Sequence, residues 1–208
     1  MKKRIVLLGG DLRQYYMAKS LIRKDFAISY YGLNFPQEEQ GAHQCRDKGA
    51  LWSALREADA LILPDPVSRD GMTVRENMLE TPVLLAEVLL HMDGQQLFGG
   101  RFPVNMVAAS AKNNCRLHDF VQNERLQIKN ATLIAEAALL EAKLLSDEML
   151  QGSNCLLIGY TLEARLLVQY LKAFGAYVTV VSTIGRRRLE AEAYGLVSYT
   201  HLTLPTIR

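Results

Sequence analysis

The sequence twice runs from a short apolar segment through a glycine turn into a helical pattern, and then into a second strand-like segment. The first such unit begins at residues 4–8 (RIVLL), passes two consecutive glycines and reaches residues 27–31. The second begins at residues 154–158 (NCLLI), turns at Gly159 and reaches residues 177–181 (YVTVV). Strand, turn, helix and strand in this order are typical of βαβ units, whose strands are parallel. The sequence therefore predicts an α/β fold.

The chain of 208 residues is long enough for two small domains, since one domain takes roughly 150 residues. We expect two doubly wound parallel-sheet domains, flavodoxin-like or Rossmann-like, joined by a long helix, with the second domain incomplete. The predicted parts are an N-terminal α/β domain over 1–131, a linking helix over 132–150 and a partial nucleotide-binding domain over 151–196. The predicted core faces are Leu133, Ala137, Leu140 and Leu144 on the linking helix, and Leu162, Leu166, Tyr170 and Phe174 on the next helix.

Composition excludes several classes of protein. The 24 basic and 22 acidic residues leave a net charge of +2, too balanced for a nucleic-acid-binding surface. No apolar run approaches the length of a membrane span. The three cysteines lack a CxxC motif and the four histidines lack paired spacing, so neither a disulfide framework nor a metal centre is supported. We expect a cytoplasmic protein without metal.

Residues 159–164 (GYTLEA) lie where a dinucleotide fingerprint G-x-G-x-x-G/A is expected, between a strand and a helix. Gly159 permits the tight turn and Ala164 permits close helix packing, but Thr161 replaces the middle glycine. Glu163 adds a carboxylate close to where a diphosphate would bind. Two interpretations stay open: a cofactor site that includes Gly159, Tyr160, Thr161 and Ala164, or a Rossmann-like unit that binds dinucleotide weakly or not at all.

Residues 182–188 (STIGRRR) follow the next strand. An NAD site normally has an acidic residue here for the ribose 2′-hydroxyl, whereas hydroxyls and arginines suit the 2′-phosphate of NADP. We therefore predict that Ser182, Arg186 and Arg187 contact NADP. The alternative is a solvated basic turn that opens a helix.

Residues 9–14 (GGDLRQ) follow the first strand and predict an anion site at a helix N-terminus, where Arg13 offers a bidentate fork for a carboxylate. Asp11 is a candidate catalytic residue beside it. The alternative is that Asp11 caps the helix and Arg13 is solvated.

Glu136 lies at the edge of the apolar face of the long helix. A carboxylate there could face an interdomain cleft, where burial would raise its pKa and suit it to acid–base catalysis. The alternative is a glutamate paired with Lys143 or with solvent.

Residues 9–14, 60–71 (ALILPDPVSRDG) and 130–180 together resemble the A subunit of dipicolinate synthase. The resemblance implies an N-terminal α/β domain, a linking helix and a nucleotide-binding domain. It also implies NADP-linked oxidation of a dihydrodipicolinate-type intermediate to dipicolinate, on a branch of the lysine pathway in sporulating bacteria. A flavoprotein-like B subunit is the implied partner, and a homo-oligomer is compatible with it. Arg13 would bind a substrate carboxylate and Glu136 would transfer a proton.

The sequence departs from the family pattern at expected functional positions. Thr161 replaces a glycine, Leu133 and Ile134 stand where the family has Pro-Thr, and Ala137 replaces another glycine. These departures keep open a second hypothesis, a non-catalytic binding or regulatory protein that has lost dinucleotide chemistry.

Residues 197–208 (VSYTHLTLPTIR) have no counterpart in the family and resemble a translated sequencing adapter. We expect this segment to be a non-native tail on a shortened chain. The alternative is a genuine short strand and tail.

Overall fold

A computed structural model describes residues 2–37, 39–75 and 82–201. The chain divides into two compact units, Met1–Asn123 and Glu124–Arg208, and each is described by itself. Both consist of parallel strands with intervening helices, so the predicted α/β fold is confirmed. The division falls ahead of the boundary expected after residue 131, and the assignment of functions to the parts stays a prediction.

The first unit contains a six-stranded sheet in the order β3-β2-β1-β4-β5-β6, with every pair of neighbours parallel. The chain moves outward from β1 to β3 and then returns to place β4 beside β1. The strand order therefore reverses between β1 and β4. The strands are β1 Arg4–Leu8, β2 Ala27–Tyr31, β3 Ala42–Gln44, β4 Ala60–Ile62, β5 Gln96–Gly99 and β6 Arg116–Asp119.

Both faces of this sheet are covered, which explains the continuous apolar run of β1. Val6 and Leu8 pack in one cluster with Leu51, while Ile5 and Leu7 belong to a cluster on the other face. The helices are α1 Leu12–Ile22, α2 Lys48–Glu57, α3 Leu85–Leu90 and α4 Val104–Lys112, with a 3₁₀ turn at Phe120–Gln122.

One predicted helix start is wrong. The sequence predicts that Pro82 lies in the first turn of a helix, but α3 begins at Leu85. Leu84 is extended and forms an antiparallel bridge with Thr73. The backbone at Leu84 is therefore paired with another segment, and the helix can begin only after it.

The second unit contains a three-stranded parallel sheet in the order β7-β8-β9. Two of its strands have the bounds that the sequence predicts. Residues 197–199 of the expected tail form the third strand, whereas 202–208 lie outside the described residues, and the origin of this segment stays a prediction. The elements are α5 Glu124–Leu144, β7 Asn154–Ile158, α6 Leu162–Ala173, β8 Tyr177–Val181, α7 Gly185–Ala193 and β9 Val197–Tyr199.

The predicted bounds and core face of the long helix are wrong. The helix α5 runs from Glu124 to Leu144 rather than over 132–150. Leu133 and Leu144 are 65% and 70% exposed, whereas Ala135 is buried. Apolar residues surround this helix, so leucine spacing alone selects the wrong side. The other predicted members of that face, Ala137 and Leu140, are exposed as well.

The predicted core face of α6 is also displaced. Val168 and Leu171 are its buried residues, and Leu167 packs against them from the same side. Phe174, a predicted core residue, is exposed. The core of this unit forms where these side chains meet Val178 and Val180 of β8.

Candidate functional site

The carboxyl ends of β1 and β4 lie side by side where the strand order of the first unit reverses. In open α/β sheets, ligands bind in the crevice at such a switch point. The loop after β1 supplies Asp11 and Arg13, and the loop after β4 supplies Asp65 and Arg75. Arg101 joins them from the loop after β5.

Three guanidinium groups contact two carboxylates at this switch point. Arg13 donates from Nε and Nη2 to the two carboxylate oxygens of Asp11, at 2.9 and 2.8 Å. Arg75 donates from Nη2 to Asp11 Oδ2 at 3.3 Å. The carbonyl oxygen of Asp65 accepts from Arg13 Nη2 at 3.1 Å and from Arg75 Nη1 at 2.6 Å. Arg101 Nε donates to Asp65 Oδ1 at 2.8 Å. The cluster has more positive than negative charges, which suits an anionic ligand.

Asp11 is ionised in this arrangement. The hydrogen bond from the Arg13 side chain, together with the charges of Arg13 and Arg75, lowers the pKa of Asp11 to about 2. A carboxyl group with this pKa carries protons poorly near neutral pH. Asp11 therefore acts in this structure as the counter-ion that holds the two arginines.

The amides of the glycine turn have partners of their own, and the predicted anion site at this helix N-terminus stays a prediction. Asp11 caps α1 by accepting from the Arg13 amide, and Gln14 accepts from the Asp11 amide in return. The amides of Gly9 and Gly10 donate to backbone carbonyls. These donors are already used, so the positive potential comes from side chains. The alternative interpretation of Asp11 as a helix cap is confirmed.

Sequence reasoning misses Asp65, Arg75 and Arg101. Asp65 lies in a block that carries the family resemblance, shortly after the buried strand β4. A polar residue at this end of a parallel strand could have indicated a site residue. Arg75 is ten residues farther on, and its side chain is only 14% exposed. Its Nε is buried without a hydrogen-bond partner in the described part of the chain.

The turn after β7 keeps part of the geometry of a dinucleotide site. Gly159 has a φ of +98°, and a Cβ there would meet nothing within 4 Å. The Thr161 hydroxyl caps α6 by accepting from the Ala164 amide at 3.5 Å. The space at Gly159 permits close approach of a phosphate, and Thr161, in place of the middle glycine, distinguishes this turn from the usual fingerprint.

Tyr160 belongs to the core rather than to the surface of this turn. It is 2% exposed, and the Arg165 guanidinium lies over its ring at 5.5 Å. Its side chain is therefore not available to a ligand in this arrangement. Only the backbone of Tyr160 could therefore make the predicted contact with a cofactor.

Glu163 lies in the first turn of α6. A hydrogen bond from the Thr161 side chain lowers the pKa of Glu163, and the positive charge of Arg187 acts in the same direction. The carboxylate is ionised near the helix N-terminus, where a bound diphosphate would meet it. The predicted repulsion between this charge and a diphosphate stays a prediction.

The arginines at the start of α7 have different surroundings. Arg186 has an 89% exposed side chain, and its Nε donates to Glu190 at 3.2 Å. Glu190 also accepts from Arg165 Nη2 at 2.6 Å. Arg188 instead donates from Nη1 to the Ser182 carbonyl at 2.7 Å. Arg188 is therefore the guanidinium fixed at the end of β8, although the sequence prediction names Arg186 and Arg187.

Ser182 is 6% exposed, and its hydroxyl accepts from the Ile184 amide at 3.3 Å. This hydroxyl stabilises the loop after β8. Because the Ser182 side chain is buried in this arrangement, it offers little surface to a cofactor. The predicted contact between Ser182 and NADP stays a prediction.

Glu136 is exposed on α5. The predicted acid–base role relies on partial burial, which this position lacks. The alternative partner, Lys143, donates to the carbonyls of Ser146 and Glu148 at the end of the same helix, at 3.3 and 2.8 Å. The assignment of Glu136 to catalysis stays a prediction.

Within residues 2–37, 39–75 and 82–201, no group of three histidine, cysteine or acidic side chains could hold a metal ion. Over the same ranges, no helix has both the length and the apolar character needed to cross a membrane.

The profile of a family described as the N-terminal domain of the dipicolinate synthase A subunit matches residues 4–121. The chain belongs to this family. The match covers the sheet of the first unit together with Asp11, Asp65, Arg75 and Arg101. No curated protein matches the sequence.

Solved structures of the dipicolinate synthase A subunit have the same fold as this chain. The protein from Bacillus halodurans has a TM-score of 0.72 and 20% identity, over 95% of this chain and 67% of that one. The protein from Bacillus subtilis has a TM-score of 0.69 and 20% identity, over 96% of this chain and 67% of that one. A transhydrogenase from Sinorhizobium meliloti is more distant, with a TM-score of 0.50 and 12% identity, over 94% of this chain and 64% of that one.

Proposed function

We propose that this member of the dipicolinate synthase family is an NADP-linked oxidoreductase. Its proposed substrate is a dihydrodipicolinate-type cyclic dicarboxylate, which it oxidises to dipicolinate. The observation that carries the proposal is the β7–α6–β8 unit, in which an open glycine turn faces a strand end that has an arginine and no carboxylate.

The residues of the second unit fit a dinucleotide in part. Gly159 leaves space for a phosphate, and Arg188 holds positive charge at the end of β8. Thr161 and Glu163 oppose close approach of the diphosphate, so we expect weak binding. NADP⁺ bound there would supply the acceptor for the hydride that leaves the substrate.

The switch-point cluster of the first unit is the proposed site for a substrate carboxylate. Arg13 and Arg75 supply positive charge, and the donors of Arg13 that Asp11 does not occupy would bind the substrate carboxylate. Among the described residues, the buried Nε of Arg75 has no hydrogen-bond partner, which supports this assignment because a buried donor without a partner costs about 1–3 kcal/mol. Asp11 would keep both arginines in place before the substrate binds.

The proton released by the oxidation needs an acceptor, and we propose Glu136 for this role. Its carboxylate is exposed on α5, and a carboxylate can accept a proton from a bound substrate. The proposed setting is the cytoplasm, and the proposed partner is the flavoprotein-like B subunit of dipicolinate synthase. Self-association into a homo-oligomer is compatible with this proposal.

Calorimetric titration of the chain with NADP⁺ and NAD⁺ tests the proposal. We expect saturable binding of NADP⁺, with NAD⁺ weaker by about tenfold, since a 2′-phosphate adds charge–charge attraction. The proposal would be refuted if the chain bound neither NADP⁺ nor NAD⁺.

A non-catalytic binding or regulatory protein is the second candidate. The observation that favours it is the pair of Thr161 and ionised Glu163 at the turn where a diphosphate would bind. Binding of the B subunit without binding of either dinucleotide would support this second function.

A further inference from the structure

We infer that Arg188 is the residue that distinguishes a ribose 2′-phosphate from a 2′-hydroxyl, and that its neighbour Arg186 does not. This inference rests on the proposed function, because it concerns the dinucleotide site of the second unit. It separates Arg188 from Arg186, two members of the run 186–188 that the sequence alone does not distinguish.

The position of Arg188 is the first observation. The strand β8 ends at Val181, and no carboxylate occurs in the residues 182–184 that follow it. Arg188 Nη1 donates to the Ser182 carbonyl at 2.7 Å. A Cβ added to Gly185 would lie 3.7 Å from Arg188 Nη2, so the guanidinium folds back over the start of α7. The end of this second strand is where Rossmann folds recognise the ribose of the adenosine half.

The charge of Arg188 is the second observation. In the described part of the chain, Arg186 and Arg165 both form ion pairs with Glu190. Arg188 forms no ion pair there, and its hydrogen bond goes to a neutral carbonyl. A guanidinium has five N–H donors, so Arg188 keeps both its charge and donors for a ligand. Arg186 would have to separate from Glu190 to bind a phosphate with its Nε.

The restricted freedom of Arg188 is the third observation. Its side chain is half-buried and held by the Ser182 carbonyl, whereas the side chain of Arg186 extends into solvent. A side chain that is already ordered loses less conformational entropy when a ligand binds. The Ser182 hydroxyl, which accepts from the Ile184 amide, keeps the loop that orients Arg188 in place. Ser182 is thus a positioning residue for Arg188.

Two small ligands separate the 2′-phosphate from the rest of the dinucleotide. Adenosine 2′,5′-bisphosphate and adenosine 5′-monophosphate differ only in that group, and both contain the adenosine half of the dinucleotide. The full chain is titrated with each ligand by calorimetry at low salt. We expect the wild type to bind the bisphosphate about tenfold more tightly, and R188M to remove most of this difference while the affinity for the monophosphate changes by less than about twofold.

R186M is the matched control, since it removes the same charge from the same turn of α7. We expect R186M to change the ratio of the two affinities by less than about twofold, because the Arg186 side chain extends into solvent and its charge is already paired with Glu190. R188K keeps the charge without the fork, and its ratio should lie between those of the wild type and R188M. If R188M does not fold, as judged by its thermal unfolding curve, R188K carries the test.

Equal effects of R186M and R188M on the ratio would overturn the inference, because they would indicate a diffuse basic turn. Equal binding of the two ligands by the wild type would also overturn it, while leaving the proposed dinucleotide function intact. A wild-type chain that binds neither ligand, and does not bind NADP⁺, would refute the proposed function and the role of Arg188 together.

Discussion

Replacing Asp11 by asparagine should destabilise the first unit by about 1 kcal/mol near neutral pH. The pKa of Asp11 falls from 3.8 to about 2 in the folded protein, and each pKa unit corresponds to about 1.4 kcal/mol. The shift therefore sets an upper limit near 2.5 kcal/mol on the contribution of Asp11 to the free energy of unfolding. Solvent screening reduces this contribution, since the Arg13 side chain is 54% exposed and the Asp11 side chain 31%. Asparagine also caps helices well, so the loss reports the arginine pairs rather than the cap.

The pH dependence of this effect follows from the sign of the shift. The folded-state pKa of Asp11 is depressed, so its ionised form stabilises the protein fully above the unfolded-state pKa near 3.9. This contribution is lost as the pH falls from there through about 2. The difference in stability between wild type and D11N should therefore be constant above about pH 5 and disappear in acid.

Urea unfolding followed by tryptophan fluorescence measures this difference, because the single tryptophan, Trp52, lies in α2 of the first unit. D47N is the matched control: Asp47 caps α2 by accepting from the Ala50 amide at 2.7 Å, and it forms no ion pair among the described residues. Equal losses for D11N and D47N would refute the argument that the arginines stabilise the first unit through Asp11.

Three further predictions concern ligand binding and catalysis. R13K should weaken pyridine-2,6-dicarboxylate binding by about tenfold in calorimetry, because an ammonium cannot replace the planar guanidinium. The free energy of unfolding in urea should change by less than about 0.5 kcal/mol. Unchanged affinity would indicate that Arg13 has a structural role. Combining Thr161→Gly with Glu163→Thr should tighten NADP⁺ binding by about tenfold, because it removes the side chain and the charge that oppose the diphosphate. An unchanged dissociation constant would indicate that the turn has lost its dinucleotide-binding function. E136Q should slow NADPH formation by about a hundredfold with unchanged NADP⁺ affinity, and an unchanged rate would exclude Glu136 as the base.

Four of the strands are the elements that the sequence predicts best. The bounds of β1, β2, β7 and β8 agree with the structure because each is a short, largely apolar run with a glycine close to one end. The strand β3 escapes prediction because it contains only Ala42, His43 and Gln44, without an apolar pattern. It pairs only with β2, at the edge of the sheet, where tertiary pairing rather than propensity decides its conformation.

The candidate site can be predicted only in part. Asp11 and Arg13 follow a recognisable strand and glycine turn, so the sequence indicates their position. Arg75 and Arg101 come from separate segments, and only the return of the chain to β4 and β5 brings them to Asp11 and Asp65. Local periodicity contains no information about such long-range pairs. It also does not show that Arg188, rather than Arg186, is fixed at the end of β8.

Hydride transfer to NADP⁺ is the property that an oxidoreductase of this kind must have. The chain, together with the B subunit, is supplied with a dihydrodipicolinate substrate and NADP⁺, and NADPH is followed by its absorbance. We expect NADPH to form in step with dipicolinate, and R13K to be slower by about tenfold or more at limiting substrate. Binding of NADP⁺ and the dicarboxylate without formation of NADPH would contradict the oxidoreductase assignment and favour a non-catalytic protein.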